Sequence, residues 1–344
     1  MATKDKVLEI LTQNNETPVS GEKLAEICGV SRAAIWKAIN SLREQNCQIE
    51  GTTNGGYVLH GAADILTAEL LQTQLDHDFP ALAGSHLECF AQIDSTNTYA
   101  KSLLSKAGNL RNSDGTLTQA GKLYHNSIYV AESQTAGKGR LGRSFVSPAK
   151  TGIYLSVIYA PEGGIKNPAA ITAFSAVAVC RVIQRLYKIE PKIKWINDIY
   201  INNKKICGIL TEGSANFETG MIESAVIGIG VNIQDNPEVF NAAQVAGSIV
   251  GNASTTITRY QLAASIGGQT LSIFNEPEEE LIKEYKRLSF TVGQTLTVHP
   301  VIGNNQKDFT AKAIDIDNNC SLVVQKEDGT ILTLNSGEVS LHQE

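Results

Sequence analysis

The chain has 344 residues, 42% hydrophobic and 19% charged, a length for two or three cores and a balance that excludes disordered and fibrous classes. No run reads as the roughly 20 apolar residues of a membrane helix, and MATKDKVLEI lacks the basic and apolar regions of a signal peptide, so the cytoplasm is the expected address. The formal net charge of −6 means that nucleic acid could be met only through a local arrangement of charge.

Residues 4–59 read as three short helices and a hairpin. Val7, Leu8, Ile10 and Leu11 give the first helix its inward stripe, and Leu24, Ala25 and Ile27 that of the second. Gly29 stops the second helix after Cys28, Val30 fills the turn, and Ser31 stands as N-cap of the third. This is helix-turn-helix spacing. In the third helix Ile35, Ala38, Ile39 and Leu42 share one face, which leaves Ser31, Arg32, Ala33, Trp36, Lys37, Asn40 and Arg43 on or near the face that could enter a major groove. Arg32, Lys37, Arg43 and helix N-termini would contact phosphates. Strands at 47–50 and 57–59, joined around Asn54-Gly55, would form a wing. A helical bundle whose polar face is merely solvated shows the same pattern.

A helical connector follows at 64–78, with Leu66, Leu70, Leu71 and Leu75 at helical spacing. Strand-like runs at 86–90, 128–131, 153–159, 193–195, 206–210 and 224–229 then alternate with helical stretches such as 97–104 and 169–186, which predicts a mixed α/β domain. The polar run between Lys106 and Ser127 reads as a surface excursion. From Thr291 onward, short strands are separated by turn signals at Gly293, Gly303-Asn304, 317–319, Asp328-Gly329 and Ser336-Gly337, as in a small all-β barrel. The expected domains are therefore 1–62, 63–82 as linker, 83–290 and 291–344. Six dispersed cysteines, without a C-x-x-C pair or a zinc-type His spacing, fit free thiols in a reducing compartment.

Between Gln134 and Arg143 three glycines (Gly137, Gly139, Gly142) are interleaved with Lys138, Arg140 and Arg143. Glycine lets backbone N–H groups approach an anion while the cations neutralise it. A basic surface turn would more often show one glycine. The run is not a Walker A loop, since Gly139 follows Lys138, and Gly228-Ile229-Gly230 lacks the third glycine of a dinucleotide fingerprint. Lys194-Trp195-Ile196-Asn197-Asp198 ends an apolar strand, where Asp198 could hold a magnesium ion (Mg2+) on nucleotide phosphates and Asn197 could bond the same groups. An ordinary strand-end turn has the same residues. Lys205 enters the following strand and could face a carboxylate.

Asp94-Ser95-Thr96-Asn97, the run from Glu132 to Arg140, Lys194 to Asp198, Lys205 to Leu210 and Ile227 to Asn232 together resemble the bifunctional biotin protein ligase and repressor family over nearly the whole chain. The resemblance implies a winged helix-turn-helix domain, a central mixed α/β ligase domain of the biotin/lipoate type and a C-terminal SH3-like β-barrel. It implies that Ser95, Thr96, Asn97 and Gln134 hold biotin's ureido ring, and that Lys205 faces its carboxylate. Lys138, Gly139 and Arg140 would bind biotin and the acyl-phosphate region, with Lys194, Asn197, Asp198 and Asn232 on the nucleotide side; Arg140 and Lys205 are the expected catalytic residues. Gly337-Glu338-Val339-Ser340-Leu341 is similar to the end of the family's barrel. The chain departs from the family where it has Lys138 and Leu141 for arginine and Ile196 for proline, and lysine cannot make arginine's bidentate fork.

The implied chemistry is ATP-dependent formation of biotinoyl-AMP, then transfer of biotin to a lysine of a biotin carboxyl carrier domain, without an enzyme nucleophile. The implied regulation is repression at operator DNA by a homodimer that the adenylate favours. A repressor that only senses biotin would not need Asn197 and Asp198, and a lipoate-type ligase would differ only at the ring-binding end of the pocket.

Overall fold

The computed structural model describes residues 3–14, 17–44, 47–52, 55–60, 64–215, 221–243, 245–299, 307–335 and 337–341. The wing turn at Asn54 and the turn signals at Gly303-Asn304 and Ser336 lie outside them.

Three helices open the chain: α1 (Thr3–Gln13), α2 (Gly21–Cys28) and α3 (Arg32–Glu44). Val7, Leu8, Ile10 and Leu11 of α1 are buried, as are Leu24 of α2 and Ile35, Ala38, Ile39 and Leu42 of α3. Ile27 is exposed instead, because the eight residues of α2 turn only Leu24 fully inward and Ile27 falls on the open side. Ser20 caps α2 by accepting from Lys23 N, and Gly29 ends it at φ 69°, a left-handed conformation that favours glycine. Ser31 Oγ accepts from Ala34 N at 3.3 Å, the expected cap of α3. Strands β1 (Ile49–Thr52) and β2 (Gly56–Leu59) pair antiparallel as the wing.

Helix α4 (Ala68–Asp78), capped by Thr67, buries Leu70, Leu71 and Leu75. It packs on α1 and on α9 (Arg259–Ser272). The central sheet comprises β3 (Leu87–Phe90), β4 (Ile128–Ala131), β5 (Gly152–Tyr159), β6 (Lys192–Lys194), β7 (Asp198–Ile201), β8 (Lys204–Ala215) and β9 (Ile222–Asn232). Its order is β3-β4-β5-β9-β8-β7-β6, with β3 and β4 parallel and every other pair antiparallel. Helix α5 (Thr96–Ala107) packs against β4, β5 and β9. Helices α7 (Pro168–Tyr187), α9 and α10 (Glu278–Leu288) form a second layer, with α9 on β5, α7 on β8 and α10 on α7. The short α6 (Gln119–Tyr124) and α8 (Pro237–Ala242) are the remaining α-helices among the described residues.

Two expectations change here. By length and composition α7 could cross a membrane. It has this composition because it is the central core helix, with Ala170 to Ile183 nearly all buried. The excursion between Lys106 and Ser127 is packed rather than loose. Leu110 belongs to a small core with Ala100, Leu104 and Tyr129, and α6 sits so close that a Cβ on Gly121 would stand 2.1 Å from Leu110 O.

Beyond α10, β10 (Thr295–His299), β11 (Phe309–Ile316), β12 (Leu322–Gln325), β13 (Ile331–Leu334) and β14 (Glu338–Leu341) form one antiparallel sheet in the order β13-β12-β11-β10-β14. Its edge strands β13 and β14 do not pair with one another among the described residues. Trp195 joins this sheet to the central one: its backbone N donates to Thr291 Oγ1 at 2.8 Å, and its Nε1 donates to Cys320 O at 2.9 Å.

Candidate active site and DNA-facing surface

The register of the central sheet makes the floor of a cleft. Across β5, β9 and β8, Ser156 pairs with Gly228 and Gly228 with Leu210, while Tyr154 pairs with Gly230 and Gly230 with Gly208. Alternate residues of a strand face opposite sides, so Ile227, Ile229 and Val231 enter the core while Gly228 and Gly230 bring bare backbone to the other face. A Cβ on Gly228 would lie 2.1 Å from Asn97 Oδ1, and one on Gly230 would lie 2.5 Å from the Phe145 ring. The glycines are there because these two side chains occupy their space.

Ser95, Thr96, Asn97, Gln134, Lys138, Gly139, Arg140, Lys194, Asn197, Asp198 and Lys205 all line this cleft. Sequence segments more than a hundred residues apart thus converge on one cleft. Ser95 caps α5 through Thr98 N, and Ser95, Thr96 and Asn97 are buried to within 4% of full burial. Gln134 Oε1 accepts from Thr96 N at 2.9 Å. Ser147 Oγ donates its proton to Phe145 O, so it accepts from Gln134 Nε2 at 2.9 Å. Asn97 Nδ2 donates to Glu212 Oε2 at 2.9 Å and lies 3.4 Å from Leu210 O. Ser156 Oγ stands 2.6 Å from Asn97 Oδ1 and 2.7 Å from Thr96 Oγ1. Its single proton belongs to the carbonyl oxygen, which has none of its own.

Cations gather at the other end. Arg140 donates to Asn197 Oδ1 at 2.9 Å and to Gly337 O at 2.7 Å, and Asn197 Nδ2 donates to Ile209 O at 2.8 Å. Arg143 pairs with Glu338 at 2.5 Å. The C-terminal sheet therefore closes one side of the cleft. Lys205 Nζ pairs with Asp198 Oδ1 at 2.7 Å. Burial pushes the Lys194 ammonium below the ordinary lysine range, opposed by Asp198 and Glu338. Lys138 is exposed on the loop, where it pairs in backbone with Ser144.

Asn232 is the exception. It does not line the cleft; its Nδ2 donates to Gly247 O at 3.0 Å and its backbone carbonyl accepts from Ile249 N at 3.1 Å. It braces the segment after α8 because it pairs across the sheet with Gly152, beyond the floor. Sequence reasoning missed Phe145, Ser156 and Glu212, and gave Glu338 no role at the site. A serine alone in the apolar strand IYLSVIY was the one signal available for Ser156.

On the N-terminal domain, Ser31, Arg32, Ala33, Trp36 and Lys37 are exposed along α3, with Asn40 half-buried beside them. Trp36 is 58% exposed, a large apolar group on a face otherwise polar. Arg43 is partly committed: its Nε donates to Ile49 O at 2.9 Å and fastens α3 to the wing.

A helix-turn-helix domain thus precedes a mixed sheet with a cationic, glycine-floored cleft. Residues 89–232 match the biotin/lipoate A/B protein ligase family, residues 3–58 an HTH domain, and residues 300–342 the biotin protein ligase C terminal domain. The biotin protein ligase from Aquifex aeolicus in complex with biotin and ATP is a structural neighbour, with a TM-score of 0.57 at 21% identity over 75% of this chain and 99% of that one. At that identity the likeness establishes the fold. The bifunctional ligase/repressor BirA of Bacillus subtilis (strain 168) is 30% identical over 345 residues, covering 97% of each chain, and that of Escherichia coli (strain K12) is 28% identical over 326 residues. The chain belongs to the bifunctional ligase/repressor BirA family.

Proposed function

We propose that the cleft activates biotin with ATP, and that the observation carrying this reading is the hydrogen-bond complement of its floor. Ser95 keeps its hydroxyl proton, Gln134 Nε2 keeps one N–H after serving Ser147, and Asn97 Oδ1 keeps one lone pair after accepting from Ser156. Two donors beside one acceptor complement a cyclic urea, whose carbonyl accepts and whose flanking N–H donates. A dithiolane ring offers neither group. The floor supports biotin over lipoate because a site built to bond polar groups leaves them unpaired, at a cost, when an apolar ring enters.

The acid's carboxylate oxygen then attacks the α-phosphorus of ATP; the new O–P bond forms as the bond to pyrophosphate breaks. Two anions must meet, so Arg140, Lys194, Lys205 and Lys138 contribute by positioning and by neutralising charge. The amine of a carrier-domain lysine attacks the acyl carbon and AMP leaves, with no enzyme nucleophile. Asp198, whose carboxylate lines the cleft and pairs with Lys205 Nζ at 2.7 Å, would hold a magnesium ion that arrives with nucleotide phosphates; among the described residues no group of three or more His, Cys, Asp or Glu gathers to cage a resident ion. Such an ion would neutralise phosphate charge. The exposed face of α3 would meet operator DNA, as a dimer favoured by the adenylate.

Incubating the protein with a biotin carrier peptide, ATP and either biotin or lipoate, followed by mass spectrometry, tests the reading. Mass gain from biotin alone is expected. Gain from lipoate alone, or from neither acid, would refute it.

A further inference from the structure

Asn97 and Lys101 stand one turn apart on α5, and both reach Glu212 of β8. Glu212 Oε2 takes Asn97 Nδ2 at 2.9 Å while Oε1 takes Lys101 Nζ at 2.6 Å. Neither Glu212 nor Lys101 lines the cleft. The Glu212 side chain is 26% exposed and that of Lys101 45%, so the pair runs from the surface to the back of a buried amide.

An amide is two-faced: turned by half a rotation, Asn97 would present N–H groups where it now presents oxygen. An ionised carboxylate only accepts. While Glu212 is charged, Nδ2 must face it, and Oδ1 must face Ser156 and the bare backbone of Gly228. Burial opposes that charge, but hydrogen bonds from Lys101 and Asn97, with the field of Lys138, hold the Glu212 carboxyl below its ordinary range.

We infer that Glu212, supported by Lys101, is a positioning residue that sets the polarity of Asn97 and thereby makes the floor select a ring carrying an N–H. The inference rests on the ligase reading above. Glu212 touches no ligand and acts through the amide.

The probe is biotin against its cyclic carbamate analogue, in which oxygen replaces one ring N–H, each with the nitrogen or the oxygen on the side of Asn97. Affinities come from calorimetric titration of the full chain. The wild type is expected to prefer biotin to the analogue that places oxygen against Asn97 by roughly tenfold, the scale of one lost hydrogen bond with an acceptor left unpaired. E212Q removes the constraint, because its amide can accept from or donate to either end of Asn97, and the preference should shrink to about twofold. K101M, altered on the surface and so the safer variant for folding, should fall between the two.

A merely structural role would weaken both ligands together and leave their ratio untouched. A wild-type ratio near one, or an unaltered ratio in both folded variants, overturns the inference while the ligase reading stands. A wild type that binds neither ligand overturns both.

Discussion

Gly228 illustrates how a single atom decides the site. Alanine there would set its Cβ 2.1 Å from Asn97 Oδ1, a distance that forces the amide out of place. In Gly228→Ala the KM for biotin should rise at least ~10-fold, a loss of the order expected when a bonded polar group is displaced, with the KM for ATP little changed; pyrophosphate release measures both. Lys194 makes a different test. Its pKa lies below that of a free lysine because of burial, so its positive charge is complete below that depressed value and is lost as pH rises through it, earlier than for an exposed lysine. The alkaline limb of kcat/KM for adenylation should therefore move to higher pH in Lys194→Arg, which stays charged. An unmoved limb would remove Lys194 from the reaction. The charged and motif-borne residues of the site were legible in the sequence because their chemistry clusters locally. Glu212 was not, and Ser156 was marked only by standing alone in an apolar run, since the role of each comes from a strand register that no local pattern encodes.

Among the described residues, α9 carries the least exposed ion pair, Arg259 with Glu132. Arg259, its side chain 6% exposed, donates to Asp64 Oδ2 at 2.8 Å, to Asp64 O at 2.9 Å and to Glu132 Oε1 at 2.5 Å. Its backbone N also reaches Asp64 Oδ1 at 2.7 Å. The segment leading into α4, the start of α9 and the end of β4 are thereby held at one point. Removing a buried partner costs about 3–5 kcal/mol, but Asp64 is 48% exposed and regains water, so Arg259→Met should lose about 2–3 kcal/mol. Urea denaturation followed by circular dichroism gives the number; a loss under about 0.5 kcal/mol, the scale of an ordinary surface change, would contradict it. Elements with strong periodicity, such as α1, α3, α7 and the apolar strands, were readable because each buries a continuous face. β7 and α6 were not: β7 spans four residues inside a turn-like motif, and α6 is a six-residue helix whose burial depends on Leu110 and Gly121 meeting in space.

For the whole molecule, a net charge of −6 must be reconciled with binding a polyanion. The exposed cations Arg32 and Lys37 on α3 supply the local exception. Arg32→Ala should weaken operator binding about equally for all sequences and reduce the slope of log affinity against log salt by about 0.9, the share of one phosphate contact. Titrations at several salt concentrations decide it, and an unchanged slope would take Arg32 off the phosphate backbone. The chain also holds only two tryptophans, and they stand at opposite ends of its work: Trp36 is 58% exposed on the DNA-facing helix, while Trp195 is 3% exposed beside the cleft. The protein is consequently a two-channel optical reporter without any label. Iodide should quench the red-emitting population from Trp36 until an operator shields it, while the blue-emitting population from Trp195 follows events in the cleft, so one fluorescence experiment can time the two activities against each other.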